Sequence, residues 1–266
     1  MAASLMRRIL GTLELLAETS SGLSLGAVAE GTGMPRSAAH RLLAELAQHG
    51  WVRVSGPGHY ALTTKLVGLG FRFLSGAGVD LAQPILDRLA AASGELVRLA
   101  VVDGNRLTWV AKAQGARSGL RYDPEMGQPA PLAVTASGHA WLSTLPIDDA
   151  LRIVTEAGFP KLTEFGPAAP RTVGALRRLI AAAREAGFAT VTDSGAVGMA
   201  AMAAPVRVGV APAIATVSIA GPSARLTRLR MAAMAPALLS AGAELASIAG
   251  LSDVLAASPP AMEAVR

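Results

Sequence analysis

The sequence predicts an α+β protein in two parts: an N-terminal winged helix-turn-helix, then a linker helix and a C-terminal domain of mostly antiparallel sheet flanked by helices. Three observations carry this. At 266 residues the chain is long enough for about two domains. Its first 63 residues read as three short helices followed by a β-hairpin. Beyond residue 79, strands paired by hairpins alternate with amphipathic helices, the pattern of an α+β domain rather than a parallel sheet. The chain is 52% hydrophobic and 16% charged, with a mean hydropathy of +0.43. Such a chain is too apolar for disorder and needs a sizeable core. Aromatics make up only 4% and cysteine is absent. Disulfide frameworks, zinc ribbons and iron–sulfur clusters are therefore excluded, and nothing argues for a secreted compartment.

Residues 4–18 place Leu5, Ile9, Leu13 and Leu16 at helical spacing, with Arg8 and Glu14 off that face. Arg7, Arg8 and Glu14 also interrupt any signal-peptide core, so a cytoplasmic chain is expected. Gly22 breaks this helix, and Ser24 is a suitable N-cap for a second one over 25–30. Gly31, Thr32 and Gly33 are expected to form a tight turn, with Pro35 as the first residue of a third helix running to Gln48. Ala39, Leu42, Leu43 and Leu46 form its buried stripe, and Gly50 stops it. Two β-prone runs, 51–54 and 60–63, flank a Gly/Pro turn and read as the wing.

The net charge of +5 is concentrated at this end. Residues 1–75 hold seven Lys/Arg against four Asp/Glu, and residues 76–266 hold 17 against 15. Three of the four histidines (His40, His49 and His59) also lie here, without metal-ligand spacing. The N-terminal part is thus the candidate polyanion-binding part. Arg36, Ser37, His40 and Arg41 fall near the start of the third helix, the end that enters a major groove in this motif. With Ser24, and with Arg53 and His59 of the wing, they are the candidate contacts to double-stranded DNA.

Residues 64–78 read as a linker helix apolar on more than one side, through Leu66, Val67, Leu69, Phe71, Phe73 and Leu74. Such a helix needs a second surface to cover it, and dimer contacts are favoured over packing on its own domain. Gly76, Ala77 and Gly78 mark the boundary to the domain at 79–250. There, 81–92 is helical with Pro84 in its first turn, and 96–102 and 106–113 form the clearest hairpin. A short strand is expected at 119–122, helices at 135–145, 147–157 and 173–186, and strands at 188–193, 200–208 and 213–220. Helical sequence then runs from Ser223 to Ile248, and Pro236 is expected to break or restart it. The tail, 251–266, is Ala/Pro-rich and expected to fray.

The longest apolar stretch, 199–221, carries Pro205, Arg207 and Pro212 and reads as two buried strands rather than a membrane span. Catalysis is not indicated. Ser137 and His139 are the one close Ser/His pair, but two residues apart they do not face each other on a helix. Neither Gly56-Pro57-Gly58 nor Gly68-Leu69-Gly70 has the context of a dinucleotide fingerprint. A binding pocket fits better, because Thr135 to Gly138 present hydroxyls and backbone N–H groups at a helix start, a setting for an anion. No cofactor and no metal are expected. Two other functions remain open: a sensor that has lost DNA binding, and a hydrolase using Ser137.

The run LSLGAVAEGTGMPRSAAHRLLAELAQHGWV followed by YALTTKLVGLG resembles the DNA-binding half of the IclR family of bacterial transcriptional regulators. GQPAPLAVTASGHAWLS, AREAGFATV and AAPVRVGVAPAIATVSIAGP are similar to successive signatures of that family's effector domain. The resemblance implies a GAF-like sensor domain, a homodimer or dimer of dimers, a palindromic operator and a small organic acid as effector. Carried over position by position, it implies ligand contacts at Leu120, Ser137, Gly138, Asp193, Ala201, Ser218 and Ala220. Ser137, Gly138 and Ser218 suit a carboxylate, although a buried strand hydroxyl bonded to backbone is an equally good reading of Ser218. Two departures matter. The segment Thr192 to Ala196 keeps only one carboxylate, Asp193, where the family usually has several acidic residues, and Ala201 and Ala220 are smaller than their family counterparts. They imply a roomier, more apolar pocket, suited to an aromatic or longer acid. Ala38 stands where many members have a phosphate-contacting Thr.

Overall fold

The computed structural model describes residues 5–19, 21–56, 58–76, 79–117, 119–124, 126, 128–158, 165–251 and 255. The chain divides into two compact units, Met1–Phe73 and Leu74–Arg266.

In the first unit, α1 (Leu5–Ala17), α2 (Leu25–Thr32) and α3 (Arg36–Gln48) close on a core of Leu16, Val28, Met34, Ala39, Leu42, Leu43, Leu46 and Val52. A three-stranded antiparallel sheet of order β1-β3-β2 completes the wing, from β1 (Leu23–Ser24), β2 (Val52–Val54) and β3 (His59–Leu62). Helix α2 runs through Gly31 and Thr32, which were expected in the turn, because its stop is Gly33 alone. That residue takes the left-handed conformation at φ 63. The Met34 N–H then returns to the Ala29 carbonyl at 2.9 Å while the Met34 side chain enters the core, a helix ending in which the apolar residue locks the turn. Pro35 is the N-cap of α3 rather than its first residue. Helix α4 spans Thr64–Gly76. Its Lys65 ammonium lies 4.9 Å from the Trp51 ring centroid and donates to the His49 carbonyl. Leu66, Val67, Leu69 and Phe71 are exposed on it; Phe73 and Leu74 lie outside the described side chains.

The second unit is built on a five-stranded antiparallel sheet of order β5-β4-β8-β7-β6, from β4 (Leu96–Asp103), β5 (Arg106–Gln114), β6 (Ala189–Thr192), β7 (Met199–Val206) and β8 (Ala215–Pro222). On one face lie α5 (Val79–Ser93) and α9 (Arg228–Ile248), burying Val97, Leu99, Val101, Met202, Val217 and Ile219. On the other lie α6 (Ala136–Leu142), α7 (Ile147–Ala157) and α8 (Val173–Ala186), over Ala100, Val102 and Trp109. The central strands β4 and β8 are thus covered on both sides, which is why their sequences read as continuous apolar runs rather than alternating ones.

Three expectations are corrected here. No strand forms at 119–122: Gly119 sits at φ +75, and the Leu120 and Tyr122 carbonyls accept from the Arg225 and Gln114 side chains instead of from a ladder. Pro84 falls inside α5, since that helix starts earlier, at Val79. Pro236 does not break α9, because it lies on the exposed side, where water can take up the carbonyl that proline leaves unpaired. Helix α9 is long and apolar enough by composition to cross a membrane, but Met231, Met234, Leu238 and Leu245 pack into the core beneath the sheet. Apart from Leu251 and Leu255, the expected tail lies outside the described residues, and Leu255 is buried in that same core.

Candidate functional site

Helix α3 separates its two roles by angle. Ala39, Leu42, Leu43 and Leu46 are buried on one side, and Arg36, Ser37, His40 and Arg41 are exposed on the opposite arc of the first two turns. Pro35 offers no side-chain cap, and its carbonyl takes the N–H groups of Ala38 and Ala39 at 2.9 and 3.0 Å. The N–H groups of Arg36 and Ser37, with the positive end of the helix dipole, are therefore presented next to two guanidinium groups. This is an arrangement suited to phosphate. Arg53 on β2 and His59 on β3 are exposed on the wing. Ser24 serves structure directly: its Oγ caps α2 by accepting from the Ala27 N–H at 3.2 Å, and its backbone pairs with His59.

In the second unit a cleft opens between the sheet and the start of α6. It holds about 460 Å³ of empty space, part of it continuous with solvent. Strand register builds its floor: Arg98 pairs with Ser218, and Ala201 with Ala220, so four side chains from three strands meet on one face. Alanine and serine at these positions create the space that larger residues would fill. The wall is the segment Val134 to Ser137, held by contacts to its first residue and to the residue before it. Ser194 Oγ donates to the Val134 carbonyl at 2.8 Å, and the His139 Nε2 meets the Ala133 carbonyl at 2.7 Å. Arg98 also lines the cleft, its Cζ 3.8 Å from the Trp109 ring centroid and 5.8 Å from that of Tyr122. Burial pulls its guanidinium down to about 10, opposed by the contact with Tyr122, which leaves it cationic at neutral pH.

Two family models match this chain. The bacterial transcriptional regulator IclR C-terminal domain matches residues 78–247, and the IclR helix-turn-helix domain matches residues 6–56. The chain belongs to the IclR family. It is 28% identical over 243 residues to the transcriptional repressor IclR of Escherichia coli strain K12, covering 90% of this chain and 88% of that protein. Its fold is that of the IclR transcriptional regulator of Alicyclobacillus acidocaldarius, with a TM-score of 0.78 at 21% identity over 92% of this chain and 99% of that one. An IclR homologue from Microbacterium hydrocarbonoxydans, solved in complex with 4-hydroxybenzoate, superposes with a TM-score of 0.73 at 21% identity, covering 96% and 100%. This IclR protein is therefore a transcriptional regulator with a helix-turn-helix DNA-binding domain and an effector-binding domain.

The structure brings together four of the expected IclR ligand contacts, Ser137, Ala201, Ser218 and Ala220, on the lining of one cleft. Three others lie off that lining. Leu120 is 70% exposed and holds Arg225 through its carbonyl. Gly138 has its N–H engaged by the Thr135 cap, and a Cβ there would come within 2.2 Å of the Leu132 carbonyl oxygen. Asp193 shapes the turn after β6, taking φ 53 while its carboxylate accepts from the Gly198 N–H at 2.6 Å. Ser218 answers to both of its readings, because it lines the cleft while its Oγ donates to the Arg98 carbonyl at 3.4 Å. His139 faces away from Ser137, into a separate cleft beside Phe188 and Arg228. Sequence reasoning missed Arg98. It also missed Glu95, whose buried carboxylate holds Arg225 in a bidentate pair at 2.6 and 2.8 Å.

Proposed function

We propose that this protein is a cytoplasmic, homodimeric operator-binding regulator whose second domain senses an organic acid without turning it over. The observation that carries the DNA reading is the exposed arc of Arg36, Ser37, His40 and Arg41 at the start of α3, set opposite a fully buried stripe. In this reading, Arg36 and Arg41 contact guanine or phosphate, while Ser37 and the neighbouring N–H groups contact backbone phosphate. Arg53 and His59 touch the flanking backbone from the wing, with Ser24 holding the start of α2 beside them.

Support for the acid comes from the cleft. Ser137 and Ser218, with Thr135 and Tyr122, bring hydroxyls to it, Ala201 and Ala220 give it depth, and its described lining contains no Asp or Glu. Among the described residues of that lining there is no His, Asp or Glu, and with His139 in another cleft a hydrolytic role for Ser137 lacks its usual base. The 4-hydroxybenzoate bound by the Microbacterium homologue is an acid of the aromatic class that the departures at Ala201 and Ala220 favour. Binding of such an acid shifts the population of dimer arrangements and hence the half-site spacing that fits.

The test is a gel shift on the intergenic DNA beside the protein's own gene. Arg41→Ala is expected to weaken specific binding by about 1–3 kcal/mol while sparing random DNA. Equal loss on both makes Arg41 a phosphate contact, and no loss on either removes α3 as the reading helix.

A further inference from the structure

Arg98 stands mid-strand in β4, whose residues Leu96 to Val102 are all buried. The side chain is only 6% exposed, on the face shared with Ala100, Val102 and Trp109. Two of its guanidinium nitrogens, Nε and Nη1, have no hydrogen-bond partner, and neither does the Trp109 Nε1 beside it. Among the described residues no carboxylate lines the cleft. The nearest acid along the strand, Glu95, is already committed to Arg225. Tyr122 answers only part of this group, and a buried charge that keeps two unpaired donors is among the costliest features a core can carry. Folding requires nothing of this kind here, since an aliphatic residue would match the rest of β4.

From these two unpaired, buried donors we infer that Arg98 is the residue that reads the effector's carboxylate, and that the effector class is a monocarboxylate with a flat, apolar body. The inference rests on the reading of the cleft as the effector site. A carboxylate is an acceptor-only monoanion, so it answers both deficits at once: unpartnered donors and one unbalanced positive charge. Its oxygens lie in the plane of the guanidinium that they engage. Trp109 holds that guanidinium against its ring, which fixes where the acid enters. The remaining wall includes Val134, Ala136, Val191, Ala201 and Ala220, which offer contact to an aromatic ring, and among the described residues it has no second cation for a dicarboxylate or phosphate dianion.

The experiment is calorimetric titration of the full-length protein with benzoate and 4-hydroxybenzoate, with benzamide as the uncharged isostere and phthalate as the dianion. Wild type is expected to bind at least one of the two monocarboxylates at least about tenfold more tightly than benzamide or phthalate. Arg98→Met should lose that advantage by about ten- to a hundredfold while leaving benzamide unchanged. Without ligand, Arg98→Met should melt no lower than wild type, because it removes a buried charge that no described carboxylate balances. If it does not fold, Arg98→Lys decides: it keeps the charge but not the fork, and should weaken the acid by at least about tenfold. Benzamide binding as well as benzoate, an unchanged Kd in the Arg98 variants, or binding of neither acid to wild type overturns the inference. If the acids bind wild type and Arg98→Met equally yet fail on Ala201→Leu, which fills the cleft, the effector site stands and only the role of Arg98 falls. Equal binding to wild type and Ala201→Leu removes the effector site itself.

Discussion

His139 shows how position decides the chemistry of a residue. On sequence it was half of a Ser/His pair; in the fold it is 1% exposed and spends its Nε2 on the Ala133 carbonyl, next to the wall of the cleft. Burial pushes its pKa below the ordinary histidine value, with the Ala133 contact opposing. The unfolded chain therefore binds a proton that the folded chain does not, and stability rises with pH across this window. It is complete above about pH 6.5 and is lost as pH falls from there through the depressed folded value, at up to about 1.4 kcal/mol per pH unit. Urea denaturation between pH 5 and 8 should show this slope in wild type and a shallower one in His139→Gln; parallel profiles would contradict it. The clustering of Ser137, Ser218, Ala201 and Ala220 was legible because three of them sit on family signatures and Ala201 lies two residues before one. Arg98 was not, because an Arg in a hairpin strand reads as a solvent-facing residue. Only the finding that both faces of β4 are covered shows it to be buried.

Among the elements, local chemistry located the helices well, since caps are written in single residues. Ser24, Thr135, Thr172 and Thr227 each cap a helix by accepting from a backbone N–H three residues on. What the sequence concealed depends on distant partners. The two-residue strand β1 exists only because β3 reaches it, and 119–122 fails to become a strand because side chains from elsewhere satisfy its carbonyls. Pro236 misled because its effect depends on which face of α9 it occupies. Two substitutions test these readings by thermal melting. Gly33→Ala should destabilise the first domain by about 1 kcal/mol, since φ 63 is strained for any residue with a Cβ although the space there is open. Pro236→Ala should raise the melting temperature of the second domain, because the backbone at that exposed site can then donate its missing hydrogen bond. The opposite sign in either case would refute the corresponding account.

At the scale of the whole molecule, high hydropathy has a structural cause in a sheet covered by helices on both faces and a core of Ala, Val and Leu. Leu66, Val67, Leu69 and Phe71 on α4 are apolar side chains that the described residues of the first domain leave exposed. Homodimerisation through them predicts a dimer mass in sedimentation, shifted toward monomer by Phe71→Glu; a concentration-independent monomer would exclude it. The uneven charge, concentrated in the first domain, makes operator binding an electrostatic event. The most direct measurement is therefore the affinity of the full-length protein for the DNA beside its own gene across a potassium chloride series. The account predicts that log K falls linearly with log salt, by about 0.9 for each phosphate neutralised. Wild type should show several such contacts, and a variant lacking both Arg36 and Arg41 should show a shallower slope. Binding that is flat in salt, or a slope unchanged in that variant, would contradict the claim that α3 reads the operator.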